Sequence, residues 1–113
     1  MTHGTISFIE LGSGAESQKS SAFFGQLFGW TFNAMGESGG WFDTPTIKAG
    51  LHANDPQPQI YPFFQVANLL DAIAQVRALG GEAEEPGPVE DGFGQFSNCC
   101  DPQGIKFGLH AKP

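Results

Sequence analysis

Apolar positions along this chain follow two alternating periods, and the order of alternation is the same in both halves. Thr5 to Leu11 reads as an apolar strand, Gly12-Ser13-Gly14 interrupts it, and a helix is predicted from about Ala15 to Phe28. Within that helix Ala22, Phe23, Phe24, Leu27 and Phe28 fall at helical spacing and give one strongly apolar face. Gly29 supplies the stop. Trp30 to Met35, Trp41 to Thr44 and Ile47 to Ala53 then read as strands, with a turn over Gly36 to Gly40, so the predicted order is β-α-β-β-β.

Asn54 to Pro62 holds three prolines and no periodicity, which marks a link. Beyond it the order repeats. Tyr61 to Val66 is a strand; Asn68 reads as an N-cap, with Asp71 three residues on; and Leu69, Leu70, Ile73, Val76 and Leu79 mark a helix ended by Gly80-Gly81. Glu82 to Glu85 is a short strand, Pro86 to Gly92 a loop, Phe93 to Cys100 a strand, Asp101-Pro102-Gln103-Gly104 a tight turn, and Ile105 to Ala111 the last strand. The sequence itself carries the same duplication. Ile47-Lys48-Ala49-Gly50-Leu51-His52-Ala53 returns as Ile105-Lys106-Phe107-Gly108-Leu109-His110-Ala111, with one position changed.

Two modules are therefore expected, about 1–54 and about 60–113, together forming a single domain over residues 1–113. At half of 113 residues, each module is near the lower limit for a self-sufficient core. The 40% hydrophobic content and eleven Phe can fill a substantial core, and the lack of an apolar run of about 18 residues argues against a helical membrane span. Met1 to Thr5 shows no basic region leading into an apolar stretch, so a cytoplasmic location is the default expectation. A net charge of −7, shared by both halves with no basic patch, points away from nucleic acid and from anionic membranes as partners. Cys99 and Cys100 are adjacent, without metal-site or redox-motif spacing, and read as reduced thiols on opposite faces of one strand.

Three segments together resemble the vicinal oxygen chelate superfamily, which includes glyoxalase I, bleomycin-resistance proteins and extradiol dioxygenases. Phe23-Phe24-Gly25-Gln26-Leu27-Phe28-Gly29-Trp30 is similar to its first-helix signature, Leu79-Gly80-Gly81 to the end of its second helix, and Asp101 to Leu109 to its closing turn and strand. The resemblance implies an α+β fold in which two tandem βαβββ modules curl eight strands into an open cup with flanking helices, often in a homodimer. In metal-dependent members, His and Glu ligands lie on the first and last strands of each module. Here the corresponding slots fall at Gly50 and Gly108 on the closing strands, near Phe8 or Ile9 on the first opening strand, and near Tyr61 on the second. None is a His, Asp or Glu, so the resemblance implies neither a metal nor any other cofactor.

Chemistry has other candidates. His52 and His110 share a strand face with Gly50 and Gly108, and can be read as acid–base or ligand-binding imidazoles, or as rim residues satisfying local hydrogen bonds. Glu10 is the only acid of the opening strand; it serves as an acid or base if it faces the cup and is solvated if it faces away. Phe8, Trp30, Trp41, Tyr61, Phe63 and Phe107 can line the cup for a flat apolar ligand, or belong to the core between helix and sheet. Gly50 and Gly108 would leave room for such a ligand. The expected function is a metal-independent small-molecule-binding protein of the glyoxalase and bleomycin-resistance type, with a small organic ligand as partner. The alternative is a lyase, isomerase or metal-dependent enzyme of the same superfamily using His52, His110 or Glu10.

Overall fold

A computed structural model describes residues 3–113. The chain divides into two compact units, one over Phe8–Tyr61 and one over Pro62–Pro113 that also takes the N-terminal residues through Ser7. Each carries the β-α-β-β-β order.

In the first unit the elements are β1 (Ile6–Gly12), α1 (Ser17–Phe28), β2 (Thr31–Met35), β3 (Gly39–Asp43) and β4 (Lys48–His52). The strands lie in the order β2-β3-β4-β1, with β1 parallel to β4 and the other pairs antiparallel. Strand alternation divides the sheet into two faces. Leu11, Phe42, Ala49 and Leu51 are buried on one face, against Ile9, Phe24, Trp30 and Phe32. Phe8, Glu10 and Gly12 on β1, Gly50 and His52 on β4, and Trp41 on β3 occupy the other.

The predicted helix start at Ala15 moves to Ser17, because Glu16 stands at the N-cap and makes no side-chain cap hydrogen bond. Its end is as expected: Gly29 takes a left-handed φ of 73° and donates its N–H to Gly25 O at 2.8 Å. The apolar face of α1 is only partly used. Phe24 packs edge-on against Phe42, whereas Phe23, Leu27 and Phe28 remain 59%, 57% and 55% exposed.

In the second unit, β5 (Gln59–Gln65), α2 (Leu69–Ala78), β6 (Glu82–Ala83), β7 (Gln95–Cys100) and β8 (Lys106–Ala111) follow, with strand order β5-β8-β7-β6. The Asn68 side chain caps α2 by accepting the Asp71 N–H at 3.0 Å, and Arg77 occupies the last turn, both favourable to the helix dipole and its open N–H groups. Leu69 and Ile73 of α2 bury against Val66, Cys99 and Leu109. The final predicted strand boundaries shift slightly: Phe93 belongs to a turn closed by the Glu90–Gly94 bridge, so β7 begins at Gln95. Residues 4 and 5 join this unit through Gly4 N–H to Gln65 O and Gln65 N–H to Thr5 O, both 2.7 Å. Among the described residues no helix is long and apolar enough to cross a membrane.

Candidate functional site

The face of the first unit's sheet turned away from α1 brings together three titratable side chains. The parallel register sets Glu10 beside Gly50 and Gly12 beside His52. Glu10 Oε2 accepts from His52 Nδ1 at 2.7 Å, and Asp55 Oδ2 lies 3.1 Å from Nε2 of the same ring. Two glycines make this possible. A Cβ on Gly50 would overlap Glu10 Oε1, and one on Gly12 would overlap Asp55 Oδ2 and stand 3.0 Å from His52 Nε2. Both carboxylates thus lie where ordinary side chains would otherwise stand.

The loop that delivers Asp55 is fixed by backbone bonds. Ser13 N–H donates to His52 O, Asn54 N–H to Gly14 O and Asp55 N–H to Ser13 O, all at 2.8–2.9 Å. Asn54 takes a left-handed φ of 62°, which an Asn tolerates, and the Gln57 N–H donates to Asp55 Oδ1 at 2.9 Å. Glu10 is therefore on the His52 face, and the outward orientation is ruled out by register.

Electrostatics follow from this arrangement. Burial raises the Glu10 carboxyl above the ordinary glutamate range, with the hydrogen bond and charge of His52 opposing. Partial burial of the His52 ring favours its neutral form, but the hydrogen bonds and charges of Glu10 and Asp55 outweigh that and raise its pKa. Asp55 is lowered, first by the Gln57 N–H and then, against a desolvation effect, by His52. His52 remains 38% exposed, so the cluster can be reached from solvent. On the same face Lys48 Nζ lies 4.8 Å from the centre of the Trp41 ring.

This set does not suit a single metal ion. Glu10 and Asp55 approach different nitrogens on opposite edges of the imidazole, so the three groups do not converge on one point. Among the described residues no group of three His, Cys, Asp or Glu could hold a metal.

The second unit uses the matching positions differently. Phe63 stands opposite Gly108 in register, as Glu10 stands opposite Gly50. A Cβ on Gly108 would overlap the Phe63 ring, so that ring fills the space. The expectation that Gly50 and Gly108 leave room for an organic ligand is thereby corrected: a carboxylate occupies one space and a phenyl ring the other. His110 is buried, stacks on Phe96 at 4.6 Å and has both nitrogens engaged, Nε2 donating to Phe93 O at 2.6 Å and Nδ1 bonding Ser7 Oγ at 2.7 Å. It is held as a structural histidine.

The other candidates divide by face. Trp30 and Phe107 pack on the helix-facing cores, which corrects their reading as cup-lining residues. Phe8 and Phe63 are buried on the opposite faces, and Tyr61, two residues before Phe63, shares its side of β5. Trp41 is half-buried beside the Glu10–His52 cluster. Asp55, Lys48 and Ser7 were missed; for Asp55 the available signal was its three-residue spacing from His52 within an Asp-Pro turn.

No protein-family description and no curated protein matches this sequence. Solved structures do resemble it. An extradiol ring-cleaving dioxygenase from B. fuscum superposes with a TM-score of 0.72 at 19% identity, covering 97% of this chain and 34% of the dioxygenase. Homoprotocatechuate 2,3-dioxygenase from Arthrobacter globiformis gives 0.74 at 16% identity, over 97% and 36% of the two chains. Methylmalonyl-CoA epimerase from Mycobacterium tuberculosis gives 0.72 at 11% identity, over 95% and 87%. The chain thus spans about a third of the dioxygenases and most of the epimerase. With two β-α-β-β-β modules and these structural neighbours, the chain has the vicinal oxygen chelate fold.

Proposed function

We propose that the chain is a small-molecule-binding protein of the glyoxalase and bleomycin-resistance type, acting without a metal through the open face of its first module. The observation that carries this is the Glu10–His52–Asp55 cluster, assembled over two glycines and reachable from solvent. Burial raises the Glu10 carboxyl while both carboxylates raise the His52 pKa, and groups perturbed in this way gather at functional sites. Trp41 stands next to it in register, and in the second module the matching space over Gly108 is filled by the Phe63 ring. The apolar face left by Phe23, Leu27 and Phe28 supports a homodimer.

A thermal-shift screen of small organic compounds, run with and without chelator, tests this reading. Compounds that stabilise the wild-type chain equally in both conditions and do not stabilise His52→Ala are expected. Stabilisation that requires a divalent metal, or that survives His52→Ala unchanged, contradicts it, as does a library in which no compound stabilises the chain.

A second reading, a lyase or isomerase, is favoured by one feature: a carboxyl raised by burial and hydrogen-bonded to an imidazole is suited to taking a proton from carbon and returning it. The epimerase among the structural neighbours makes this worth testing. Exchange of a bound ligand's carbon-bound hydrogen for deuterium in D2O, abolished by Glu10→Gln, supports it; no exchange leaves binding as the function.

A further inference from the structure

Independently of the first-module cluster, we propose that Ser7 and His110 form a nucleophile and base pair in the second unit, which takes an acyl group from a small activated ester. An activated serine needs its hydroxyl within hydrogen-bond reach of an imidazole that a third group orients. Ser7 Oγ lies 2.7 Å from His110 Nδ1, and His110 Nε2 lies 2.6 Å from Phe93 O. A backbone carbonyl only accepts, so Nε2 carries a proton; in the neutral ring Nδ1 is then bare and accepts from the Ser7 hydroxyl. The bonds that hold His110 in place thus also set it as a base. Among the described residues the Ser7 hydroxyl has no other hydrogen-bond partner, which leaves its lone pairs open to an acyl carbon.

Three pieces of backbone place the three groups. Gln65 is the register partner of His110 and exchanges bonds with the N-terminal segment at Gly4 and Thr5, which sets Ser7 beside the imidazole. Phe93 O is presented by a turn in which the Phe93 and Gly94 N–H groups both donate to Glu90 O at 2.9 Å. Phe96 stacks on the ring at 4.6 Å and 7°. His110 is 5% exposed and Ser7 is half-buried, so the base is shielded while the hydroxyl keeps an approach from solvent.

In the proposed step Ser7 Oγ bonds to the ester carbonyl carbon as its proton passes to His110 Nδ1. Phe93 O keeps the Nε2 proton, so the imidazolium that forms has both N–H groups engaged. The bond from the acyl carbon to the leaving oxygen then breaks, and Nδ1 returns its proton to that oxygen. An acylated Ser7 and a free alcohol result. Water attacking the acyl carbon by the same route releases the carboxylic acid and restores the hydroxyl.

The test treats the full chain with 4-nitrophenyl acetate and with a small alkyl fluorophosphonate, which would form a stable phosphonyl ester on Ser7 with loss of fluoride. Peptide mass mapping locates the adducts. Ser7 is expected to be labelled about a hundredfold faster than Ser20 and Ser21 of α1, and Ser7→Ala to abolish the rapid release of 4-nitrophenolate. His110→Asn should slow labelling of Ser7 by a similar factor, with backbone spectra reporting whether that variant is folded. Where it is not, Ser7→Cys gives the same information in a chain that keeps the imidazole: its thiol should react with iodoacetamide about tenfold faster than Cys100. Labelling of Ser7 no faster than of the α1 serines overturns the proposal. So does a rate unaffected in folded His110→Asn, or a Ser7→Cys thiol no more reactive than Cys100.

Discussion

Replacing each of the two closing-strand glycines by alanine should separate the two modules by cost and by consequence. Neither Gly50 nor Gly108 has a left-handed φ, so alanine meets no backbone penalty and only the added Cβ matters. At Gly50 that Cβ displaces Glu10 Oε1 and stands 3.0 Å from Phe8 Cζ. Glu10 can swing away, so the main loss is its 2.7 Å bond to His52. With His52 38% exposed, that bond contributes at most about 1 kcal/mol after solvent screening. Loss of glycine's unfolded-state freedom offsets about 0.4–1 kcal/mol, so the net change is within about 1 kcal/mol. At Gly108 the Cβ overlaps the ring of Phe63, which is buried and packed edge-on to Phe96 at 5.3 Å. A ring this buried shifts only by disturbing its neighbours, and overpacking costs about 1–3 kcal/mol. The same unfolded-state offset leaves a net cost of up to about 2.5 kcal/mol at Gly108, so at about 5 °C per kcal/mol for a domain of this size Gly108→Ala should lower Tm by up to about 12 °C and Gly50→Ala by less than about 5 °C. Urea unfolding gives the free energies, and histidine NMR titration gives the second readout: Gly50→Ala lowers the His52 pKa, and Gly108→Ala leaves it unchanged. A Gly50→Ala variant that loses more stability than Gly108→Ala, or that keeps the wild-type His52 titration, refutes the reasoning.

Three further outcomes are expected. Because the His52 pKa is raised on folding, its contribution is fully present below the unfolded value near 6.5 and is lost as pH rises through the folded value. Urea unfolding free energy should therefore fall as the pH is raised above about 6.5, and the fall should be smaller in Asp55→Asn; a flat profile in the wild-type chain counts against the clamp. His110→Ala should destabilise the chain by about 2–4 kcal/mol, from two lost hydrogen bonds and the Phe96 contact, without moving the His52 signals. In sedimentation, Phe23→Glu with Leu27→Glu should yield a monomer from a wild-type dimer; unchanged mass in the double variant rejects α1 as the interface.

The element order was readable because both modules carry the same alternation of strand and helix periods and near-identical closing heptapeptides. Position on a face was readable wherever register depended on those heptapeptides, which is why His52 and Gly50 emerge together. The partners of the histidines were hidden for two different reasons. Asp55 lies in a proline-containing link, and only the Ser13–His52 and Asp55–Ser13 backbone bonds bring it back over Gly12. Ser7 reaches His110 because the N-terminal residues join the second unit, a long-range pairing that no local period encodes. The apolar run of α1 illustrates a third limit. Helical spacing identified Phe23, Phe24, Leu27 and Phe28 together, but one helix can turn only part of so wide a stripe toward its sheet.

The first-module site depends most directly on the protonation of His52 between Glu10 and Asp55, and a long-range 1H–15N imidazole spectrum at pH 6 measures it. Both His52 nitrogens should carry protons, with the Nδ1 proton shifted downfield by the Glu10 bond and returning toward its ordinary position in Glu10→Gln. A neutral His52 with one bare nitrogen, or a proton signal indifferent to Glu10→Gln, would mean that the carboxylates do not clamp the ring and that the first-module face is not an assembled site.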